Sequence, residues 1–397
     1  MQDQRSNRRS LLRAAAVTAA GSAVAAPALG GITPAQAAGL AASGAIPWVG
    51  KAGSGAPFIA DDAVGAQAAI NAALGSGAQQ AVYVAPGEYL VKGPVVLYGR
   101  QALIGAGPMA TVLKATTGFS GTALVTTPAG AYTHSRQCVT DIGLEGANLA
   151  ANGINFQMNA DPTTYGPDPA PWLTRVFVSR TTGDGIYLGG TYAGGMREFK
   201  LTDCRVENAG GWGYNLQSSD GFVSGCSCQG SDAGGYLIGG GNIKVWGSKV
   251  YGTGTATTAG PGFRLASSRA TVVGCEAQDV AGNGFEIVGA NCTISGCTAD
   301  STGWGTAAGA TDLNSAGFHV AGSAASIEGG SFQRANGGPR WVLGVGANVA
   351  GMRTALYLAS GVNYVSVRLV TGANKPAPFQ RLITGTAGAN SSISVLG

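Results

Sequence analysis

Two short patterns of apolar and small residues alternate along residues 140–335. The first is a Gly, an aromatic residue or Ile, a variable residue, then an apolar residue. It appears as Gly153-Ile154-Asn155-Phe156, Gly185-Ile186-Tyr187-Leu188 and Gly213-Tyr214-Asn215-Leu216. It continues as Gly235-Tyr236-Leu237-Ile238, Gly262-Phe263-Arg264-Leu265, Gly284-Phe285-Glu286-Ile287 and Gly317-Phe318-His319-Val320. The intervals are 32, 28, 22, 27, 22 and 33 residues. The second pattern is an apolar residue, two others, then Cys or an equivalent. Leu201-Thr202-Asp203-Cys204, Val223-Ser224-Gly225-Cys226, Val272-Val273-Gly274-Cys275 and Ile294-Ser295-Gly296-Cys297 carry it, and Ser248 and Gly330 fill the slot elsewhere. Each repeat thus holds at least two short strands separated by Gly, Asn, Asp and Ser turns.

A unit of this size cannot bury its own apolar face, so it must stack on copies of itself. Strands that pair with their equivalents one turn on make an all-β, single-stranded parallel β-helix. The Gly-rich corners admit the positive φ angles that sharp bends need. The Leu and Asn framework of leucine-rich repeats is absent, and propeller blades have longer repeats of about 40 residues.

Upstream, Asp61-Asp62-Ala63 begins an Ala-rich stretch, Gln67 to Leu74, with helical apolar spacing and acids at its N-terminus. Val82-Tyr83-Val84-Ala85-Pro86-Gly87-Glu88-Tyr89 and Val95-Val96-Leu97 follow as strands. Together with the repeats, this arrangement resembles the entrance to the pectate-lyase-like right-handed parallel β-helix superfamily, which includes polysaccharide lyases, polygalacturonases and phage tailspikes. The resemblance covers roughly residues 50–335. It implies a short α-helix capping the open end of the coil, where strand edges would otherwise aggregate. It is specific for fold and weak for reaction.

Composition agrees with this reading. Gly supplies 67 of 397 residues without a collagen period, and 11% charged residues leave little for long amphipathic helices. An apolar share of 45% supports a core. Of the formal charge of +4, residues 1–37 carry a net +3, from Arg5, Arg8, Arg9 and Arg13 against Asp3. The remainder is nearly neutral, with no basic stripe of the kind that binds nucleic acid. Arg8-Arg9, an Ala-rich apolar run to about Ala28, and Ala35-Gln36-Ala37 before Ala38 resemble a twin-arginine signal peptide over residues 1–37. No other stretch suits a membrane span. The expectation is an exported, extracellular or periplasmic chain, monomeric or homotrimeric, with a β-helix over 38–335. Residues 336–397 read as last turns and a C-terminal cover.

The seven Cys have no zinc spacing, and four fall in one repeat slot. They read as buried free thiols in a broken ladder, although a Cys275–Cys297 bridge between stacked turns is within disulfide reach.

Chemistry is expected on the variable residue of the first pattern. Its neighbours face inward, so it faces outward. Arg264, Glu286 and His319 then form a contiguous row with about 4.8 Å between turns. A slip of one residue would break the row. Long inserts at 252–261, at 300–315 with Asp300, Trp304 and Asp312, and at 159–172 with Asp161, Tyr165 and Asp168 lead into the same face. Such inserts wall grooves, and rings with carboxylates suit a polysaccharide.

Hydrolysis needs two carboxyls about 5–9.5 Å apart, for which Glu286 with Asp300 or Asp279 are candidates. Elimination at a uronate needs a base and positive charge beside the developing anion, which Arg264, Glu286 and His319 fit better. A surface charge ladder of about 0.2–1 kcal/mol per pair is the plain alternative. Glu286, His319, Arg264 and Asp300 are the catalytic candidates; Tyr187, Asn215, Trp304, Asp279 and Asp184 are the substrate-binding candidates. The leading expectation is a uronate lyase. The rivals are a glycoside hydrolase or glycosyl-transferring enzyme, and a non-catalytic carbohydrate-binding or structural coil.

Thr182-Gly183-Asp184-Gly185-Ile186 looks like the Asn-Thr-Asp-Gly motif of polygalacturonases. The Asp-Asp pair of that family is replaced by Ser219-Asp220-Gly221, its Gly-His-Gly is missing, and Asn242-Ile243-Lys244 stands for Arg-Ile-Lys. Asp184 is therefore equally a turn-capping residue. The family's use of calcium makes Asp161, Asp168 and Asp184 candidate ligands, without an EF-hand or nonapeptide motif. With only His134 and His319 in the chain, a multi-histidine site is excluded.

Overall fold

The structure, a computed structural model, describes residues 33–44, 46–75, 81–128, 136–157, 171–190, 197–255, 257–304, 316–333, 354–371 and 381–396. Every strand pairing is parallel, and most link one turn of a coil to the next. Eleven strands form sheet I, in which Ile154 pairs with Ile186, Tyr214 with Tyr236, Phe263 with Phe285 and Phe285 with Phe318. The other 21 strands form one hydrogen-bonded set. It bends at the Cys slot into sheet II (Lys200–Thr202, Phe222–Ser224, Lys244–Trp246, Thr271–Val273, Thr293–Ser295) and sheet III (Arg205–Ala209, Ser227–Gln229, Lys249–Tyr251, Glu276–Gln278, Thr298–Asp300). Each turn of the regular region therefore visits three faces, and the chain is a parallel β-helix.

Three-residue strands make the burial pattern easy to read. In sheet I the flanking residues are buried and the central one is outward, as in Phe285-Glu286-Ile287. In sheets II and III only the central residue is buried, as in Thr293-Ile294-Ser295. The inward rows of sheet I stack. Tyr214, Tyr236, Phe263, Phe285 and Phe318 lie at successive centroid separations of 4.4, 4.8, 5.0 and 5.2 Å with planes within 10°. These rings are fully buried and run beneath the outward row.

The Gly that opens the sheet I pattern has a different cause from the corner glycines. A Cβ on Gly185 would lie 2.3 Å from a Val206 methyl, and one on Gly213 would lie 2.2 Å from Cys228 Sγ. Close approach of sheet III excludes a side chain there. Positive φ is instead taken up at the residue before the Cys slot, including Asp203 (52°), Gly225 (64°) and Gly274 (60°).

The Cys slot is a hydrogen-bonded ladder. Main-chain N–H groups of Cys204, Ser248 and Cys275 donate to Cys226, Cys275 and Cys297 Sγ, each at 3.4 Å, and Cys226 N–H donates to Ser248 Oγ at 3.3 Å. All seven Cys are free and buried. Burial pushes the Cys228 thiol up to about 12, so it stays protonated and unreactive near neutral pH.

Helix α2 (Ala63–Leu74) closes the first turns, and Ala66, Ile70, Ala73 and Leu74 join the core. The Asp62 side chain caps it by accepting the Gly65 N–H at 2.6 Å. A second helix, α1 (Pro34–Ala42), has a Thr33/Gln36 capping box that the sequence reading did not use. Ala37 and Ala41 pack on Ala81, Tyr83, Ala102, Ile104 and Cys138, covering the outer face of sheet II at its first turns. The expected cleavage point after Ala37 falls inside this helix; residues 1–32 lie outside the described residues. Past residue 336, Leu356 continues the inward row, and Ile383 pairs with it at the exposed end of the coil.

Phe285→Ala would open a cavity in the middle of the ring stack. It should cost about 3–5 kcal/mol in denaturant unfolding. A loss below about 1 kcal/mol would mean that the stack carries little of the stability.

Candidate functional site

The outward row of sheet I is in register across its strands. Asn155 pairs with Tyr187, Tyr187 with Asn215, Asn215 with Leu237, Leu237 with Arg264, Arg264 with Glu286 and Glu286 with His319. Arg264, Glu286 and His319 therefore stand on consecutive turns. Arg264 Nη1 lies 3.4 Å from Glu286 Oε2, and His319 Nδ1 lies 3.5 Å from Glu286 Oε1. Exposure falls along the trio, with side chains 41%, 14% and 6% accessible. The open end is cationic, and the carboxylate is shared by two potential cations.

Two further residues complete this site. Tyr357 pairs with His319 on the next turn and meets its ring edge-on at 5.0 Å. Asn283 lies one turn before His319. Its Oδ1 accepts the Ala316 N–H at 2.9 Å, which turns its Nδ2 toward His319 Nδ1 at 3.3 Å. Nδ1 thus has two neighbours with opposite demands. It accepts from Asn283 when the ring proton is on Nε2, and it donates to Glu286 when Nε2 carries the lone pair or when the ring is charged. His319 Nε2 is buried with no hydrogen-bond partner among the described residues. A buried polar atom of this kind costs about 1–3 kcal/mol, so its open valence needs a reason.

Asp184 repeats the Asn283 arrangement four turns earlier in the row. Its Oδ1 accepts the Trp212 N–H at 2.7 Å and its Oδ2 accepts Asn215 Nδ2 at 2.8 Å. Asn215 in turn accepts from Gln217 at 2.7 Å. Tyr187 stands between Asn155 and Asn215 in the row, its phenol pushed up by burial and by Asp184. Burial raises the Asp184 carboxyl above the usual range, and the two donors only partly offset this. The residue acts as a bracket between turns, and with both oxygens engaged it is poorly placed as a calcium ligand. Asp161 and Asp168, like Tyr165, Asp312 and His134, lie outside the described residues. Among the described residues no group of three His, Cys, Asp or Glu side chains is close enough to hold a metal ion.

Three other candidates do not join the row. Asp279 occupies a coil corner at φ 50° and is 1% exposed. Trp304 is 2% exposed and donates its Nε1 to the Asp279 carbonyl at 2.6 Å. Its ring is inside and offers no face to a sugar. Asp300 belongs to sheet III, where it pairs with Gln278 and Gln333. Neither acid stands in the outward row of sheet I that holds Glu286.

A groove of about 470 Å³ lies over sheet III, lined by Pro108, Met109, Arg175, Phe177, Asp203, Arg205 and Glu207. Its arginines are already paired. Arg175 grips buried Asp141 with two bonds of 2.6 and 2.7 Å, and Arg205 pairs with Glu207. Its size is therefore a weaker guide to chemistry than the unmatched valences of the sheet I row.

The chain resembles known proteins in fold. Residues 152–332 match the family model described as a right handed beta helix region. No curated protein sequence matches the chain. The A-module of Azotobacter vinelandii mannuronan C-5 epimerase AlgE6 aligns at a TM-score of 0.59 and 17% identity, over 85% of this chain and 96% of that one. The A-module of AlgE4 from the same organism aligns at 0.53 and 17%, over 87% and 100%. The enzymatically active domain of bacteriophage CBA120 tailspike protein 2 aligns at 0.59 and 17%, over 77% of this chain but only 45% of that one. No helix among the described residues is long and apolar enough to cross a membrane.

Asp184→Asn removes a carboxyl whose folded-state value is raised. Wild type should lose stability relative to this variant as pH rises from below about 3.9, the ordinary Asp value. Urea midpoints across the acid range would check this. A gap that stays flat or reverses would contradict the raised carboxyl and mean that the two bracketing donors outweigh burial.

Proposed function

We propose that this right-handed parallel β-helix is an exported enzyme that takes the C5 proton from a uronate in an extracellular polysaccharide and cleaves the chain by β-elimination. The observation that carries the reading is the Arg264–Glu286–His319 row, in which a single carboxylate sits between a guanidinium and an imidazole with an open Nε2.

Each residue has a role in that reaction. Arg264, the exposed member, pairs with the uronate carboxylate. This neutralises the group and stabilises the negative charge that spreads into it as C5 loses its proton. Glu286 holds the His319 Nδ1 proton, which leaves the Nε2 lone pair to accept the C5 proton, a step that requires this buried atom to be uncovered when the sugar binds. The imidazolium so formed keeps Glu286 as its counter-charge. The C5 electron pair then forms the C4–C5 double bond, the C4–O4 bond breaks, and water protonates the leaving oxygen. Tyr357 positions the imidazole edge-on, while the Asn283 amide favours the opposite tautomer until the Nδ1 proton turns to Glu286.

Hydrolysis is less well supported, because the outward row of sheet I holds Glu286 as its one carboxylate among the described residues. Epimerisation is the closer rival. The same carbanion, reprotonated on its other face, gives the C-5 epimerisation named for the two Azotobacter modules. Export by the twin-arginine route is part of the proposal and rests on residues 1–37.

The test is purified protein against a panel of uronate and neutral polysaccharides, followed by product mass. Elimination yields ultraviolet-absorbing ends and products lighter by one water than those of hydrolysis. Epimerisation leaves chain length unchanged. Glu286→Gln and His319→Ala should each lower turnover by about 10²–10⁴-fold with an unaltered folded spectrum. Full activity in both variants would remove the site from sheet I.

A further inference from the structure

Sheet II carries an exposed aromatic and basic strip that the proposed reaction does not use. Its outward rows run Trp172, Lys200, Phe222, Lys244, Thr271 and, beside them, Thr174, Thr202, Ser224, Trp246, Val273. Phe222 and Trp246 are 41% and 38% exposed, large fractions for such rings on a sheet face. They lie diagonally across adjacent turns with centroids 5.6 Å apart and planes 26° from parallel. Lys200 and Lys244 flank Phe222 on either side in its own row. The Lys200 ammonium sits 4.8 Å from the centre of the Trp172 ring. Lys244 Nζ donates to Thr271 Oγ1 at 2.9 Å and to the Arg269 carbonyl at 3.2 Å, which leaves one donor free.

The strip has clear limits. Helix α1 covers the same face over its earlier turns, with Trp172 packed at its edge, and the later turns present Thr293, Ser295, Ser326 and the exposed acid Glu328. Between these limits ten outward positions hold two cations and no acid. From Trp172 to Lys244 the strip spans three inter-turn steps, about 14 Å along the coil axis.

We propose that this strip is a second carbohydrate-binding surface, which holds an anionic, uronate-containing polysaccharide along the coil axis, away from the sheet I row. The rings of Phe222 and Trp246 cover the apolar C–H faces of sugar rings. The lysines pair with the carboxylates that a neutral polymer lacks. A second copy of this chain is the poorer occupant, because Lys is depleted from the cores of protein interfaces and a two-fold contact would bring the lysines together. The surface does not depend on whether sheet I is catalytic.

The test is affinity electrophoresis of the full chain through gels containing polymannuronate, polygalacturonate or dextran, in the Glu286→Gln background so that the polymer is not consumed. Retardation is expected in the two uronate gels and not in dextran, and should weaken with added salt. Phe222→Ala with Trp246→Ala should weaken binding at least about tenfold. Lys200→Gln with Lys244→Gln should weaken it several-fold and flatten its salt dependence. Both pairs are outward, so circular dichroism and thermal unfolding should match the parent. Equal retardation of both pairs and the parent would overturn the proposal. So would dextran binding as strong as uronate binding, or no retardation in any gel. Sedimentation showing a dimer that the aromatic pair dissociates, with no polymer bound, would assign the strip to self-association instead.

Discussion

Parallel hydrogen bonding between each turn and the next, in fixed register, is the constraint on which every other feature of this chain depends. Once Phe263 is opposite Phe285 and Phe285 opposite Phe318, the residues beside them are fixed as well. Inward rows become stacks, and rings within 10° of parallel fill the coil without gaps. Outward rows become lines of neighbours about 4.8 Å apart, where adjacent charges must alternate or lose stability. Arg264, Glu286 and His319 obey that rule with the carboxylate in the middle. The same register lets one side chain bracket two turns, as Asp184 and Asn283 do.

Much of this was legible in the sequence because each sheet I strand flanks its variable residue with large apolar neighbours. Helix α2 was legible through its acidic cap at Asp62. Other features depend on information that the strand pattern does not contain. The recurrent Gly of sheet I is dictated by a Val, Cys or Ala on sheet III, outside the four-residue pattern. Asp279, Asp300 and Trp304 are near the row in sequence, yet the coil turns a corner between them and the row. One corner places Trp304 inside and another leaves Asp300 on a different face. Asn283 escaped because it stands just before the four-residue pattern. Tyr357 escaped because its strand opens with Thr354-Ala355 in place of Gly. The α1 signal, Thr33 with Gln36, was present but lay within an Ala-rich stretch that reads equally well as a leader.

The proposed reaction and the proposed binding surface fall on different faces of the coil. Sheet I offers a graded row, from an exposed guanidinium to a buried imidazole with one unmet valence. Sheet II offers two rings flanked by ammoniums, with no acid in the ten outward positions around them. Both run along the coil axis, the direction in which a long polymer would lie. Sheet III has a groove of about 470 Å³, yet its arginines are already held by carboxylates. Reactive potential here follows unmatched valence more closely than concavity.

Deletion of whole and half turns tests the register most directly. Phe263 and Phe285 are 22 residues apart, so removing Ala266–Ile287 excises one complete turn and joins Leu265 to Val288. The shortened chain should remain β-rich and unfold cooperatively, with Phe263 now stacked on Phe318. Removing only Ala266–Glu276, half a turn, should destroy the cooperative transition. If the two deletions behaved alike, whether both folded or both collapsed, the turns would not be held by register, and the row proposed to carry the chemistry would have no basis.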